Sequence, residues 1–321
     1  MKEIALTRLS RVTKEVVDLI NASYSGQTRQ HYTRELTNLH DWLNGRKLTD
    51  ETLSDYLARL HHKGLSPASC SMVVAAVNAN AKLLEEPSPV GPVTTRTLAG
   101  VRRKGSGRGR GQMDGLRWED VEVILKVENM KKGVIPKRNT ALLSVMSDAM
   151  LRASEVVALR VNDVISSENG TGLVRIRRSK TDQEGVGVWL FLGPDTLQRV
   201  RRYCTEAGIR DGALFRRIRQ GGKVQATGLT TRGIQDVVAR LAKDAGFTGR
   251  FSSHSLRIGS AQSLVERGAT LLQVQQVGRW ASPGMVAHYV KGQVAAKGAI
   301  ARFKYGDQVP FLSQKHVALE Q

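Results

Sequence analysis

Six side chains in the C-terminal half of this 321-residue sequence have the types needed for phosphoryl transfer without a metal ion. Arg152 lies in Met150-Leu151-Arg152-Ala153-Ser154-Glu155, and Lys180 in Arg178-Ser179-Lys180-Thr181. His254 and Arg257 share Ser253-His254-Ser255-Leu256-Arg257-Ile258-Gly259, Trp280 follows Val277-Gly278-Arg279, and Tyr289 sits in Val286-Ala287-His288-Tyr289-Val290. In such chemistry fixed cations stand in for the metal. Guanidiniums grip the non-bridging phosphate oxygens while a side chain attacks phosphorus. Arg257 follows His254 by three residues, so on a helix the two share a face.

Other routes to the same bond find less support. A metal-dependent nuclease needs carboxylates converging on a divalent ion, and the acids here are scattered. Glu119, Asp120 and Glu122 read as first-turn helix acids. His61-His62 reads as a solvated helix end without partner ligands. The cysteines are Cys70 and Cys204 alone, which excludes a disulfide scaffold and a Cys-rich zinc site and points to a reducing cytoplasm. There is no Gly-Lys-Ser/Thr nucleotide loop, and the glycine string near residue 105 lacks the strand and helix that flank a dinucleotide fingerprint.

The partner is indicated by charge. Lys and Arg number 49 against 29 Asp and Glu, a net charge of +20 with both halves positive. That excess points to a polyanion, with nucleic acid the leading candidate. No apolar run is long enough to span a bilayer, and Met1–Ser10 has no signal-peptide core. Apolar residues at 40% and charged residues at 24% are a globular balance.

The elements that must hold these groups are mostly helical. Tyr32, Leu36, Leu39 and Leu43 predict a helix over 25–44. Thr49 caps a second, with Leu53, Tyr56, Leu57 and Leu60 on one face. Ser66-Pro67 opens a third that runs to Leu84. Pro87, Pro89 and Pro92 break the chain, and a short helix spans roughly 95–103. Residues 1–100 therefore read as a bundle of four or five helices. The string Val101-Arg102-Arg103-Lys104-Gly105-Ser106-Gly107-Arg108-Gly109-Arg110-Gly111 is basic and too rich in glycine for a helix. It reads as a flexible basic linker over 101–112, with Arg102, Arg103, Lys104, Arg108 and Arg110 as DNA-binding candidates. Beyond it, 116–127 and 138–150 are helical, 173–178 and 186–192 form a small antiparallel sheet, and from Pro194 onward the pattern is helical again. The tail 306–321 has no pattern.

The ordered set Arg152, Lys180, His254-x-x-Arg257, Trp280 and Tyr289 resembles the tyrosine recombinase, or phage integrase, family, and within it the Cre-type site-specific recombinases. Trp280 precedes Tyr289 by nine residues, the family's spacing. With Arg279 in that place the spacing would be ten. The stretch from Arg138-Asn139-Thr140 to Arg160-Val161-Asn162-Asp163 resembles the family's first catalytic block. Met150-Leu151-Arg152 stands where Gly-Leu-Arg is usual, and Trp280 where histidine is commoner. The resemblance covers about residues 114–305.

The resemblance implies a mainly α fold. An N-terminal core-binding, SAM-like helical bundle would join a mostly helical catalytic domain (113–305) with a small antiparallel sheet, the two forming a C-shaped DNA clamp. It implies Tyr289 as the nucleophile of a 3′-phosphotyrosine intermediate, with no cofactor, metal or ATP. Arg152 and Arg257 would clamp the phosphate, and Lys180 would protonate the leaving 5′-oxygen. His254 would take the tyrosine proton or bind phosphate, while Glu155 would orient His254 or Arg257. Trp280 would donate an indole N–H and wall the site.

The partner implied is double-stranded DNA carrying short inverted repeats, bound by a dimer per site and a homotetramer on two sites. Residues 295–305 would dock on a neighbouring protomer or fold back. Few residues precede the first helix, which leaves no room for an arm-binding domain. A cytoplasmic, nucleoid-associated protein without membrane contact is expected. A pure DNA-binding module and a type IB topoisomerase-like relaxing enzyme are the competing readings. The intact set of catalytic residue types disfavours the first, and relaxation without site preference would favour the second.

Overall fold

A computed structural model describes residues 13–109, 111–177 and 187–290. The chain divides into two compact units, residues 1–112 and 113–321.

The first unit is a bundle of helices: α1 (Lys14–Ala22), α2 (Gly26–Leu43), α3 (Asp50–His62), α4 (Pro67–Leu84) and α5 (Pro92–Lys104). Their starts follow local capping chemistry. The side chains of Ser25, Thr49 and Ser66 accept backbone N–H groups of Thr28, Thr52 and Ser69. The apolar stripes of α2, α3 and α4 meet α5 in a core of Leu39, Leu53, Leu57, Cys70, Val73, Leu98 and Val101. Helix α5 has a cap from outside itself. Asp50, at the start of α3, accepts N–H groups from Gly91, Val93 and Thr94 at 2.8–2.9 Å.

Two expectations are corrected here. Pro92 does not only break the chain; it is the first residue of α5, where its missing N–H is no loss. The basic string is not a linker from residue 101. Val101 is buried in the bundle and α5 continues through Arg102, Arg103 and Lys104. The glycines begin only at 105, and cations in a last helical turn are favoured by the dipole.

The second unit is built around α7 (Val134–Asp148), buried almost throughout from Pro136 to Ser147. Helix α6 (Trp118–Asn129) packs on it, as do α9 (Pro194–Glu206) and α11 (Ser253–Glu266). After the short α8 (Ala153–Ala158) come β1 (Val164–Ser166), β2 (Gly172–Ile176) and β3 (Val188–Leu192), an antiparallel sheet in that order. Ile165 opposes Leu173, which opposes Phe191, and Ile176 opposes Val188. Helices α10 (Thr231–Asp244), α12 (Leu271–Gly278) and α13 (Pro283–Tyr289) complete the described part. The mainly helical fold with a small antiparallel sheet is as expected.

One part of that expectation fails. The chain after Pro194 is not helical throughout, because β4 (Arg216–Ile218) and β5 (Val224–Gly228) form a second antiparallel pair. Its turn carries Gly221 and Gly222, both at φ +82°. Gly222 donates its N–H to the Arg219 carbonyl, closing a turn whose third residue, Gly221, needs the positive φ that glycine allows.

Two sets of buried polar groups tie the elements of this unit together. Asn139 donates to Glu128 at 2.6 Å and accepts from the Arg138 guanidinium, which also reaches the Arg216 carbonyl. Asp148 accepts the Gly193 N–H at 2.8 Å, tying the end of α7 to the start of α9.

Candidate active site

Two turns and two helices bring the site together. Helix α11 is the base. Ser252 caps it, accepting the His254 N–H at 3.3 Å and donating its own N–H to Ser255 Oγ at 3.0 Å. His254 and Arg257 then project from one face, as their spacing requires. The helix can lie this close to the chain before α6 only because residue 259 is glycine. A Cβ there would fall 1.7 Å from the Leu116 carbonyl oxygen.

Arg257 is 1% exposed, so its charge needs partners. Its guanidinium donates Nη1 to the Met150 carbonyl at 2.6 Å and Nη2 to the Gly278 carbonyl. It also lies over the Trp280 ring, 4.1 Å from the centroid. Trp280 packs with Met150, Val274, Val286 and Val290 in a satellite core. Gly278 is the second required glycine, since a Cβ there would lie 1.9 Å from the Trp280 ring.

The turn between α7 and α8 delivers Arg152. Met150 adopts φ +49°, a left-handed conformation unusual for a residue with a Cβ. This is the position that departs from Gly-Leu-Arg, and the chain keeps a geometry that favours glycine without the glycine. Arg152 then stands at the head of α8. The Glu155 carboxylate accepts its backbone N–H at 2.9 Å and its Nη1 at 2.8 Å, and Nη2 donates to the Arg279 carbonyl at 3.1 Å. The Arg152 side chain is 22% exposed.

Glu155 takes different partners from those expected. It binds Arg152 and Arg279 rather than orienting His254 or Arg257. Glu155 lies three positions after Arg152, so local helix geometry brings the Arg152 guanidinium to Oε1 and its backbone N–H to Oε2, and Arg279 adds a second donor to Oε2 at 2.8 Å. Arg279 itself sits at φ +51°, as the left-handed end of α12. The sequence reading gave it no role. Its adjacency to Gly278 and Trp280 was the available signal.

Tyr289 is the last residue of α13 and is half-buried. Its ring meets His254 edge-on at 5.3 Å between centroids and lies 5.7 Å from Trp280. Gln262 of α11 donates to its carbonyl at 3.2 Å, pinning the end of α13 to the helix that carries His254. His288 touches the same ring at 5.6 Å.

The electrostatics follow from burial among cations. The His254 imidazole is pushed down to about 4 by burial, reinforced by Arg257 and Arg152, and is neutral at pH 7. Burial also lowers Arg257, to about 9, with Arg152 and Arg279 adding repulsion. It stays charged at neutral pH. One buried carboxylate among three guanidiniums leaves the site positive and able to attract a phosphodiester.

Structure and sequence thus bring Arg152, Glu155, His254, Arg257, Trp280 and Tyr289 together. Lys180 lies outside the described residues, in the connection between β2 and β3, as do Arg110, 295–305 and the tail 306–321. Among the DNA-binding candidates, Arg102, Arg103 and Lys104 are exposed on the last turn of α5. Arg108 donates to the His61 carbonyl at 2.7 Å. No helix among the described residues is long and apolar enough to cross a membrane.

Comparison with known proteins gives a consistent picture. The family model described as the phage integrase family matches residues 115–295. Recombinase cre of Escherichia phage P1 is 26% identical over 283 residues, covering 81% of this chain and 82% of that protein. The tyrosine recombinase XerD of Ralstonia nicotianae is 29% identical over 258 residues, covering 78% and 79%. Among solved structures, XerH site-specific recombinase bound to a palindromic difH substrate shares the fold with TM-score 0.65 at 18% identity, covering 86% of this chain and 79% of that one. A lambda integrase dimer bound to a core site gives 0.57 at 14% identity, covering 86% and 75%.

Proposed function

Because the chain belongs to the phage integrase family and is a tyrosine site-specific recombinase, we propose that it cuts and rejoins DNA through Tyr289, forming a 3′-phosphotyrosine bond at each exchanged strand. The observation that carries this reading is the Tyr289 ring set against a neutral His254, beside two guanidiniums held rigidly by backbone carbonyls.

The proposed step balances as follows. The Tyr289 phenol oxygen attacks the scissile phosphorus and gives its proton to the neutral His254 imidazole. The bond from phosphorus to the 5′-oxygen breaks, and Lys180 supplies that oxygen with a proton. Arg152 and Arg257 stabilise the extra negative charge of the pentacoordinate phosphorus. One phosphoester replaces another, so rejoining runs the same path backwards with a different 5′-hydroxyl. Neither ATP nor a metal ion enters this scheme.

The substrate proposed is double-stranded DNA with short inverted repeats, a dimer on each site and a homotetramer on two. The Cre and XerD relatives support a recombining reaction, and the XerH and lambda integrase neighbours are described as bound to DNA. Two units, 1–112 and 113–321, would each contact the duplex, with Arg102, Arg103, Lys104, Arg108 and Arg110 on phosphates and residues 295–305 docking between protomers. Binding to the nucleoid would follow from the net charge of +20.

The test is a pool of nicked suicide duplexes whose inverted-repeat arms are randomised, incubated in EDTA and captured as denaturant-stable adducts. The expected result is a covalent adduct whose sequences converge on one site, and none with Tyr289→Phe although that variant still binds DNA. An adduct that persists in the Phe variant would place the nucleophile elsewhere. Relaxation of any supercoiled plasmid without convergence would favour the topoisomerase-like reading.

A further inference from the structure

We propose that Arg279 is a positioning residue for strand cleavage: it spans from the turn after α12 to the turn before α8 and neutralises Glu155, so that Arg152 keeps its charge for the phosphate. This rests on the reading of Arg152 as a phosphate clamp.

Arg279 and Arg152 are joined in both directions. The Arg279 carbonyl accepts Arg152 Nη2 at 3.1 Å. The Arg279 side chain takes Glu155 Oε2 at 2.8 Å, while Arg152 takes Oε1 at 2.8 Å. Arg279 Nη1 also donates to the carbonyls of Ala149 at 3.2 Å and Val277 at 3.3 Å, and Nη2 to that of Met150 at 3.4 Å. One side chain therefore fastens the end of α7, the end of α12 and the carboxylate at the head of α8. It is 10% exposed and turned onto these groups, so it is placed to hold the clamp rather than to touch DNA.

Charge makes the assignment specific. Arg152 and Glu155 alone form a neutral pair, with Oε1 on the Arg152 guanidinium and Oε2 on its backbone N–H. Arg279 brings a second guanidinium to Oε2, and the trio carries one net positive charge. Arg152 is the most exposed of the three, so it presents that charge. The backbone supports the same conclusion. A residue with a Cβ occupies a left-handed position, φ +51°, that favours glycine. Directly opposite, Met150 does the same, and the two are hydrogen-bonded.

The experiment uses the full chain and the duplex recovered from the wild-type capture. Single-turnover cleavage, DNA affinity and thermal unfolding are measured for Arg279→Gly, Arg279→Asn and Arg279→Lys. Gly and Asn both accept a left-handed backbone, so one of them keeps the fold if the other does not. The expected result is a cleavage rate lower by about 10- to 100-fold with affinity within about threefold, partly restored by Lys. In a Glu155→Gln background, where no carboxylate remains to be neutralised, Arg279→Gly should add little further loss. Cleavage at the wild-type rate, equal losses in rate, affinity and melting temperature, or full additivity with Glu155→Gln would each overturn the proposal. Failure of the underlying site reading looks different: Tyr289→Phe would still form an adduct whatever residue 279 is.

Discussion

The Arg257 guanidinium lies over the Trp280 ring, 4.1 Å from the centroid, while two backbone carbonyls take its N–H groups. A buried cation is held here by a π face and two dipoles rather than by a carboxylate. Trp280→Ala removes both the face and a large part of the satellite core around Val274 and Val286. It should lower folding stability by about 3–5 kcal/mol and cleavage with it. Trp280→Phe keeps a ring under the guanidinium and should retain more of both. Denaturant unfolding beside suicide-substrate trapping checks the order.

Gly259 and Gly278 offer a sharper steric test. Each added Cβ would overlap something that cannot move cheaply: the Leu116 backbone in one case and the Trp280 ring in the other. Overpacking typically costs about 1–3 kcal/mol, occasionally more. Gly259→Ala should displace α11 and so lower both stability and cleavage. Gly278→Ala should act mainly on Arg257, whose carbonyl partner and stacking ring both shift. Its cleavage should fall further than its melting temperature suggests.

How much of this was readable beforehand varies with whether the signal is local. The starts of α3 and α4 were legible at Thr49 and Ser66-Pro67, because capping is decided within a few residues, and α2 was legible from the spacing of Tyr32, Leu36, Leu39 and Leu43. The end of α5 was misread, because Arg102, Arg103 and Lys104 were grouped with the glycines that follow. Strands β4 and β5 were missed, because they are short and polar, although Gly221-Gly222 was a usable hairpin signal. In the site, Arg152, His254, Arg257, Trp280 and Tyr289 were legible as an ordered set of types. Arg279 was not, since nothing in an arginine announces a left-handed backbone as glycine would, whereas Met150 was marked only by standing where the family pattern has glycine. The partners of Glu155 depend on that hidden geometry.

A pH dependence follows from His254. Its imidazole titrates near 4 when folded, against an ordinary value of 6.5. Between these values the unfolded chain binds a proton that the folded chain does not, so stability rises with pH across that window. The contribution is whole above pH 6.5 and is lost as pH falls toward 4, by about 3 kcal/mol. His254→Gln should flatten that part of the stability profile, which denaturant titrations at pH 7, 5.5 and 4.5 would reveal as a smaller difference than in wild type. A profile unchanged by the substitution would mean that the imidazole titrates alike in the folded and unfolded chain.

The N-terminal unit has its own titrating joint. The carboxylate of Asp50 at the start of α3 accepts the Gly91, Val93 and Thr94 N–H groups, so it serves as the cap that α5 lacks from its own Gly91. Burial raises its pKa, but the hydrogen bonds from Thr94, Val93 and Gly91 outweigh that and hold it at about 2. A carboxylate depressed in the folded state stabilises it above the ordinary value of 3.8, and this stabilisation is lost as pH falls toward 2. Asp50→Ala should lower the thermal midpoint by removing the acceptor of three N–H groups at the start of α5. Asp50→Asn keeps one acceptor oxygen and should lie between. Gly91→Ala should also destabilise, because its Cβ would fall 2.4 Å from the same carboxylate. Tyr289 and the guanidiniums lie in the other unit, so suicide-substrate trapping at a temperature below the lowered midpoint should keep the wild-type chemical rate once DNA is saturating. A chemical rate that fell with Asp50→Ala under those conditions would couple the bundle to the site.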